Sequence, residues 1–96
     1  MSYSCTKEGW QDFIRLCTKI KSPAEYSHFF DLFLTIEEKE TLASRFLIIK
    51  ALLDGKLTQR EIADTYKVSI AQITRGSNAM KIISPEMRAL LKNRLK

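Results

Sequence analysis

The sequence predicts an all-α fold of six helices, and three observations carry that prediction. Gly and Pro are scarce, 3 and 2 in 96 residues, too few breaks for a many-turned β fold. A Ser or Thr followed three residues later by Glu or Gln recurs along the chain. In that pattern the hydroxyl accepts from an orphan N–H of the first helical turn, and the acid or amide reaches back to the cap. Hydrophobic residues make up 45%, enough for a packed core and too many for a disordered chain. The length fits one domain, residues 1–96, of ordinary size.

The caps divide the chain in order. A first helix is expected over about 7–20, before the cap sequence Ser22-Pro23-Ala24-Glu25, in which Pro takes its favoured first helical position. The second helix then runs over about 23–33 and the third, opened by Thr35-Ile36-Glu37-Glu38, over about 36–53. Gly55 follows where a left-handed C-cap residue belongs. Thr58-Gln59-Arg60-Glu61 opens a fourth helix over about 58–65, and Ser69-Ile70-Ala71-Gln72 a fifth over about 69–80. Ser84-Pro85-Glu86 opens the last, about 85–95. Every connection is short, as helical domains prefer.

Two helices are more apolar than one small domain needs. Phe29, Phe30, Leu32, Phe33 and Leu34 crowd the second; Phe46 to Ile49 and Ala51 to Leu53 fill the third helix's C-terminal half. A helix apolar around most of its circumference must be covered on most sides. The expected solution is a homodimer with helices of two chains packed around each other.

Residues 58–76 carry the functional signal. A capped helix of about two turns is followed by a short turn and a second cap at Ser69. Ala63 is small where two helices must approach, and Ile62, Val68 and Ile73 supply the apolar contact that fixes their angle. Thr58, Arg60, Ile70, Ala71, Gln72, Thr74 and Arg75 are left to face outward. This is a helix-turn-helix pattern, spanning 58–80, in which the second helix projects into the major groove of DNA. Its exposed first turn, Ile70-Ala71-Gln72, meets base edges; Gln pairs bidentately with adenine, and small apolar groups admit thymine methyls. Thr74 and the cap amides serve phosphates. Lys67 stands in the turn where many such motifs have Gly, at a position of positive φ.

Charge agrees with an anionic partner. The net charge is +5 and the pI near 9.4, with +4 of it in residues 81–96. Cys5 and Cys17 are the only cysteines and His28 the only histidine, so neither a disulfide framework nor a metal site is expected. The expected compartment is the cytoplasm: residues 1–12 lack the apolar segment of a signal peptide, and no apolar run approaches the ~20 residues that span a bilayer. No nucleophile–base pair, phosphate-cradling Gly loop or metal cluster argues for an enzyme.

Certain segments then resemble a known family. Leu-Thr-Gln-Arg-Glu-Ile (57–62) and Ile-Ala-Gln-Ile-Thr-Arg-Gly-Ser-Asn (70–78) resemble the bacterial tryptophan repressor family, as do Leu32-Phe33-Leu34-Thr35 and Ser44-Arg45 with Ile48-Ile49 at the family's spacing. The resemblance implies an intertwined six-helix homodimer with L-tryptophan as corepressor and no other cofactor. It implies that Arg45 and Arg75 bracket the indole, and that Leu32, Leu34 and Thr35 of the other subunit close the pocket. Gly76 would leave room for the ring. Ala79 stands near the ligand carboxylate, where a better-known member has Ser, so one polar contact is missing. The residue chemistry is apt, because planar guanidinium groups stack on an aromatic face and bind carboxylate. For DNA, the resemblance implies that Arg60 reaches a base, that Ile70, Ala71 and Gln72 form the reading turn, and that Thr74 and Lys81 contact phosphates. Gln72 replaces a Thr of the better-known member. The implied function is tryptophan-dependent repression of tryptophan biosynthesis or transport genes. The alternative is a related helix-turn-helix repressor that responds to a different ligand or to none. A scaffold using its basic end to bind a protein or a membrane would show little salt dependence on DNA.

Overall fold

A computed structural model describes residues 3–95, and among these the secondary structure is six helices with no strand. They are α1 (Tyr3–Cys17), α2 (Pro23–Phe33), α3 (Ile36–Asp54), α4 (Gln59–Tyr66), α5 (Ile70–Ile82) and α6 (Pro85–Arg94). Five of the six lie within two residues of the expected spans. The first is shifted: it starts at Tyr3 and ends at Cys17, against an expected 7–20. Its C-terminus tightens into three-residue turns, with Lys19 N–H donating to Leu16 O and Ile20 N–H to Cys17 O. The Thr18 hydroxyl also turns back to Arg15 O at 2.7 Å. A hydroxyl that competes for backbone carbonyls is a helix stop.

The chain forms two compact units, one ending at Thr35 and the other beginning at Ile36. The first is the α1–α2 hairpin. Phe13 is its hub, with ring centroids 5.4 Å from Phe29 and 5.2 Å from Phe33, the latter edge-on. Such tilted and T-shaped pairs suit the ring quadrupoles. The Tyr26 hydroxyl donates to Cys17 O at 2.9 Å, a second donor to a carbonyl that also accepts from Ile20 N–H, and so ties α2 to the end of α1. Ser22 caps α2 by accepting from Glu25 N–H at 3.1 Å. Even so, α2 has no buried residue, and Trp10 and Leu32 are 63% and 79% exposed. Two helices cannot enclose an apolar interior.

The second unit packs α3, α4 and α5 around Ile48, Ala51, Ile62 and Ile73, with Leu52, Leu57, Ala63, Tyr66 and Val68 against them. Ile62 and Ile73 are fully buried and Val68 packs beside them, which is the interhelical contact expected for the 58–76 segment. The third helix is only partly covered within the chain: Leu42 and Phe46 are each 49% exposed. Gly55 closes α3 at φ +72°, with its N–H donating to Ala51 O. Arg88 of α6 donates to Met80 O in the last turn of α5, so a guanidinium sits where the helix dipole is negative.

Candidate nucleic-acid interface and ligand cleft

The α4–α5 pair is defined at both helix starts by reciprocal caps. Thr58 Oγ1 accepts from Glu61 N–H at 3.1 Å while Glu61 Oε1 accepts from Thr58 N–H at 2.9 Å. Ser69 and Gln72 repeat the arrangement at 3.1 and 2.9 Å. Each box satisfies two orphan donors. The bond from the Thr58 backbone N–H, and after it the bond with the Thr58 hydroxyl, hold the Glu61 carboxyl below the usual carboxylate range. Between the helices Lys67 adopts φ 58°, ψ 44°, with its N–H donating to Ala63 O. A left-handed residue therefore ends α4 and sets the direction of the turn into α5, and the strain falls on a non-glycine residue.

One face of this pair is open. Arg60 at the start of α4, and Ile70, Ala71, Thr74, Arg75 and Lys81 of α5, are exposed. Gln72 differs from the outward placement expected for it. It is half-buried, and its Oε1 is bound to Ser69. Bidentate pairing with adenine needs that oxygen and the amine together, so the side chain would have to leave the cap to make it.

Behind the open face, α5 lies against α3. At Gly76 the two helices approach closely, and a Cβ there would stand 2.8 Å from Ile48 Cγ2. No real Cβ tolerates that separation, so the glycine lets the two helices meet. A small cleft of about 40 Å³ opens beside this contact, lined by Thr41, Arg45 and Ile48 of α3 and by Gln72 and Arg75 of α5. The two arginines that the sequence singles out thus share one cleft. Thr41 and Ile48 join them because residues 41, 45 and 48 recur at helical spacing on one face, a signal that could have been read from the sequence. Ala79 is half-buried further along α5. Leu32, Leu34 and Thr35 belong to the other compact unit; there Leu34 is the extended C-cap of α2 and Leu32 is exposed. A larger groove of about 720 Å³ lies among α3, α4 and α6. It mixes Lys50 and Lys92 with Asp54 around an apolar floor and holds none of the residues singled out from the sequence. The small cleft is the better candidate, because chemistry suited to one ligand type converges there.

An all-helical chain with a doubly capped helix pair fits the class of helix-turn-helix transcription regulators. Its membership is narrower than that class. The chain belongs to the Trp repressor family: the family described as "Trp repressor protein" matches residues 8–95. It is 58% identical to a "Trp operon repressor homolog" of Chlamydia caviae over 97% of this chain and 92% of that protein. Proteins of the same description from Chlamydia trachomatis and Histophilus somni are 49% and 38% identical, over 93% and 99% of this chain and 95% and 90% of theirs. The family is one of transcription regulators, not of enzymes. Among the described residues no helix is long and apolar enough to cross a membrane and no metal-ligand group is found.

Proposed function

We propose that the chain is a homodimeric, cytoplasmic repressor that binds operator DNA of tryptophan biosynthesis or transport genes when L-tryptophan is bound. The observation that carries this reading is the placement of Arg45 and Arg75 in one cleft formed by α3 and α5. The cleft alone, about 40 Å³, is smaller than an indole ring, and α3 and α5 together form one side of the proposed site. In the proposed dimer the second wall is Leu32, Leu34 and Thr35 of the other copy, whose carbonyls would receive the ligand's amino group. Two guanidinium planes would sandwich the indole, and Arg75 would bind the carboxylate with charge assistance. Half-exposed Phe46 and Leu42, and the uncovered α1–α2 hairpin, favour a large interface, since a monomer of this size buries a small share of its surface. Light scattering is expected to give twice the chain mass of 11.1 kDa; a species of the chain mass at micromolar concentration would contradict the dimer.

In this reading the start of α5 faces DNA and its middle faces the ligand. Arg60, Ile70 and Ala71 would approach bases, while Thr74 and Lys81 would approach phosphates. Tryptophan would hold the two reading helices about one turn of DNA apart, ~34 Å. It can do so only by binding the DNA-competent arrangement more tightly than any other. Calorimetry with L-tryptophan tests the reading. Saturable binding below millimolar ligand is expected; no heat at millimolar ligand would favour a repressor with a different ligand or none.

A further inference from the structure

The C-terminal end of α5 is closed by a side chain where its own backbone cannot close it. The cap residue Ile83 is extended, at φ −74° and ψ 153°. Ser84 follows at φ −66° and ψ 151° as the N-cap of α6. A helix that ends on a left-handed residue returns the N–H two places beyond its cap to the carbonyl third from its end. In α5 that carbonyl is Met80 O, and two places beyond the cap stands Pro85, which has no N–H to give. Arg88 donates its guanidinium to this same carbonyl. The Arg88 backbone N–H is itself held by Ser84 O at 3.0 Å, so the donor is anchored in the first turn of α6. By contrast, α3, α4 and α6 are closed by backbone N–H groups, from Gly55 to Ala51 O, from Lys67 to Ala63 O and from Leu95 to Leu91 O. Met80 is buried, and the cation meets the negative end of the α5 dipole.

We propose that Arg88 is a positioning residue for the reading helix, a latch that ties the last turn of α5 to α6 in the arrangement that both L-tryptophan and DNA select. The inference rests on the reading of the chain as a tryptophan-dependent repressor. Met80 lies between Ala79 and Lys81, which that reading puts beside the ligand carboxylate and at a phosphate. Fixing the Met80 carbonyl therefore fixes both neighbours. If L-tryptophan tightens DNA binding about tenfold, no more than about a tenth of the unliganded chain is in the competent arrangement. Loss of the latch lowers that fraction further. Apparent affinity for the ligand and for DNA without ligand then falls by one common factor, because each is the intrinsic affinity scaled by the competent fraction. Saturating ligand restores the arrangement, so DNA affinity with L-tryptophan is spared and the effect of the amino acid grows.

Arg88→Met keeps the aliphatic stem and removes the donor and the charge. Arg88→Gln removes the charge and shortens the reach, and is read in the same way if R88M does not fold by circular dichroism. Lys92→Met, one turn further along α6, removes a cation and leaves the latch. Calorimetry of L-tryptophan without DNA, and gel shifts on DNA from upstream of the chain's own gene with and without saturating L-tryptophan, are run on the parent and the variants. R88M is expected to bind L-tryptophan about fivefold more weakly and to bind DNA without ligand about fivefold more weakly. Its DNA affinity with saturating ligand should stay within twofold of the parent, and K92M should leave the ligand affinity unchanged. A residue that only contacts phosphate gives equal DNA losses with and without ligand and an unchanged calorimetric affinity, and that result would overturn the proposal. So would both affinities of R88M within twofold of the parent, or a ligand affinity that K92M weakens as much as R88M. Failure of both Arg88 variants to fold would show support of the fold in place of positioning. If the parent binds no L-tryptophan, the tryptophan reading falls and this inference with it; parent binding with R88M unaffected removes only the role of Arg88.

Discussion

Replacing Gly76 by alanine sets two effects of opposite sign against each other, and their sizes decide the outcome. Gly76 lies inside α5 (Ile70–Ile82), where alanine is the better helix former by about 1 kcal/mol. Its Cβ would stand 2.8 Å from Ile48 Cγ2, whereas Leu52 Cδ1 at 3.7 Å is an ordinary contact. Carbon atoms prefer about 3.5–4.0 Å, so roughly an ångström must be found. Ile48 cannot supply it by rotating, because it is 1% exposed and β-branched, which stiffens its first torsion. The helices must separate instead, and overpacking of this kind costs about 1–3 kcal/mol. The net expectation is a destabilisation of about 1 kcal/mol. Because α5 carries Gln72 and Arg75 away from Arg45 as it moves, ligand affinity should fall as well. Urea unfolding at several protein concentrations, with calorimetry of L-tryptophan in parallel, measures both. A gain of about 1 kcal/mol with unchanged ligand binding would show helix propensity acting alone and would refute the close approach.

Further outcomes follow from the same geometry. Lys67→Gly relieves the left-handed conformation at φ 58° and loses some chain entropy; urea unfolding should show a gain of about 0.5–1 kcal/mol, and a loss would contradict the turn. Glu61 has a folded-state pKa held below its unfolded one, first by the Thr58 N–H. Its contribution to stability is therefore present above the unfolded pKa and lost as the pH falls through the lowered folded value. The substitution Glu61→Gln should keep the cap and remove that acid dependence, whereas an unchanged acid limb of the unfolding profile would exclude the cap as its source. Arg45→Ala and Arg75→Ala should each abolish the effect of L-tryptophan on DNA binding while circular dichroism remains helical; tryptophan dependence retained in both would remove these residues from the site.

The sequence makes local structure legible and long-range structure much less so. Ser22, Thr58, Ser69 and Ser84 all cap helices, because a cap is specified within four residues. The left-handed Lys67 was legible for the same reason: the turn between two packed helices dictates it. The ends of α1 were not, since no Ser or Thr followed three residues later by Glu or Gln precedes it and its stop depends on the Thr18 hydroxyl finding Arg15 O. Gln72 shows a subtler gap. Its place three residues after Ser69 announces a capping box, yet the same side chain can be assigned to a base edge when only outward-facing positions are counted. The contact of Gly76 with Ile48 was not legible either, because it depends on how α5 packs on α3. The division at Thr35 is equally silent in composition, because no Gly- or Pro-rich linker marks it. Arg45 and Arg75 could be paired by resemblance, but only the packing of α3 on α5 puts them in one cleft.

The most direct test is the affinity of the full chain for DNA from upstream of its own gene, measured by gel shift with and without L-tryptophan at one fixed salt concentration. Binding at least tenfold tighter is expected with the amino acid, and affinity in both states should fall steeply as salt is raised. Equal affinity with and without L-tryptophan would contradict it.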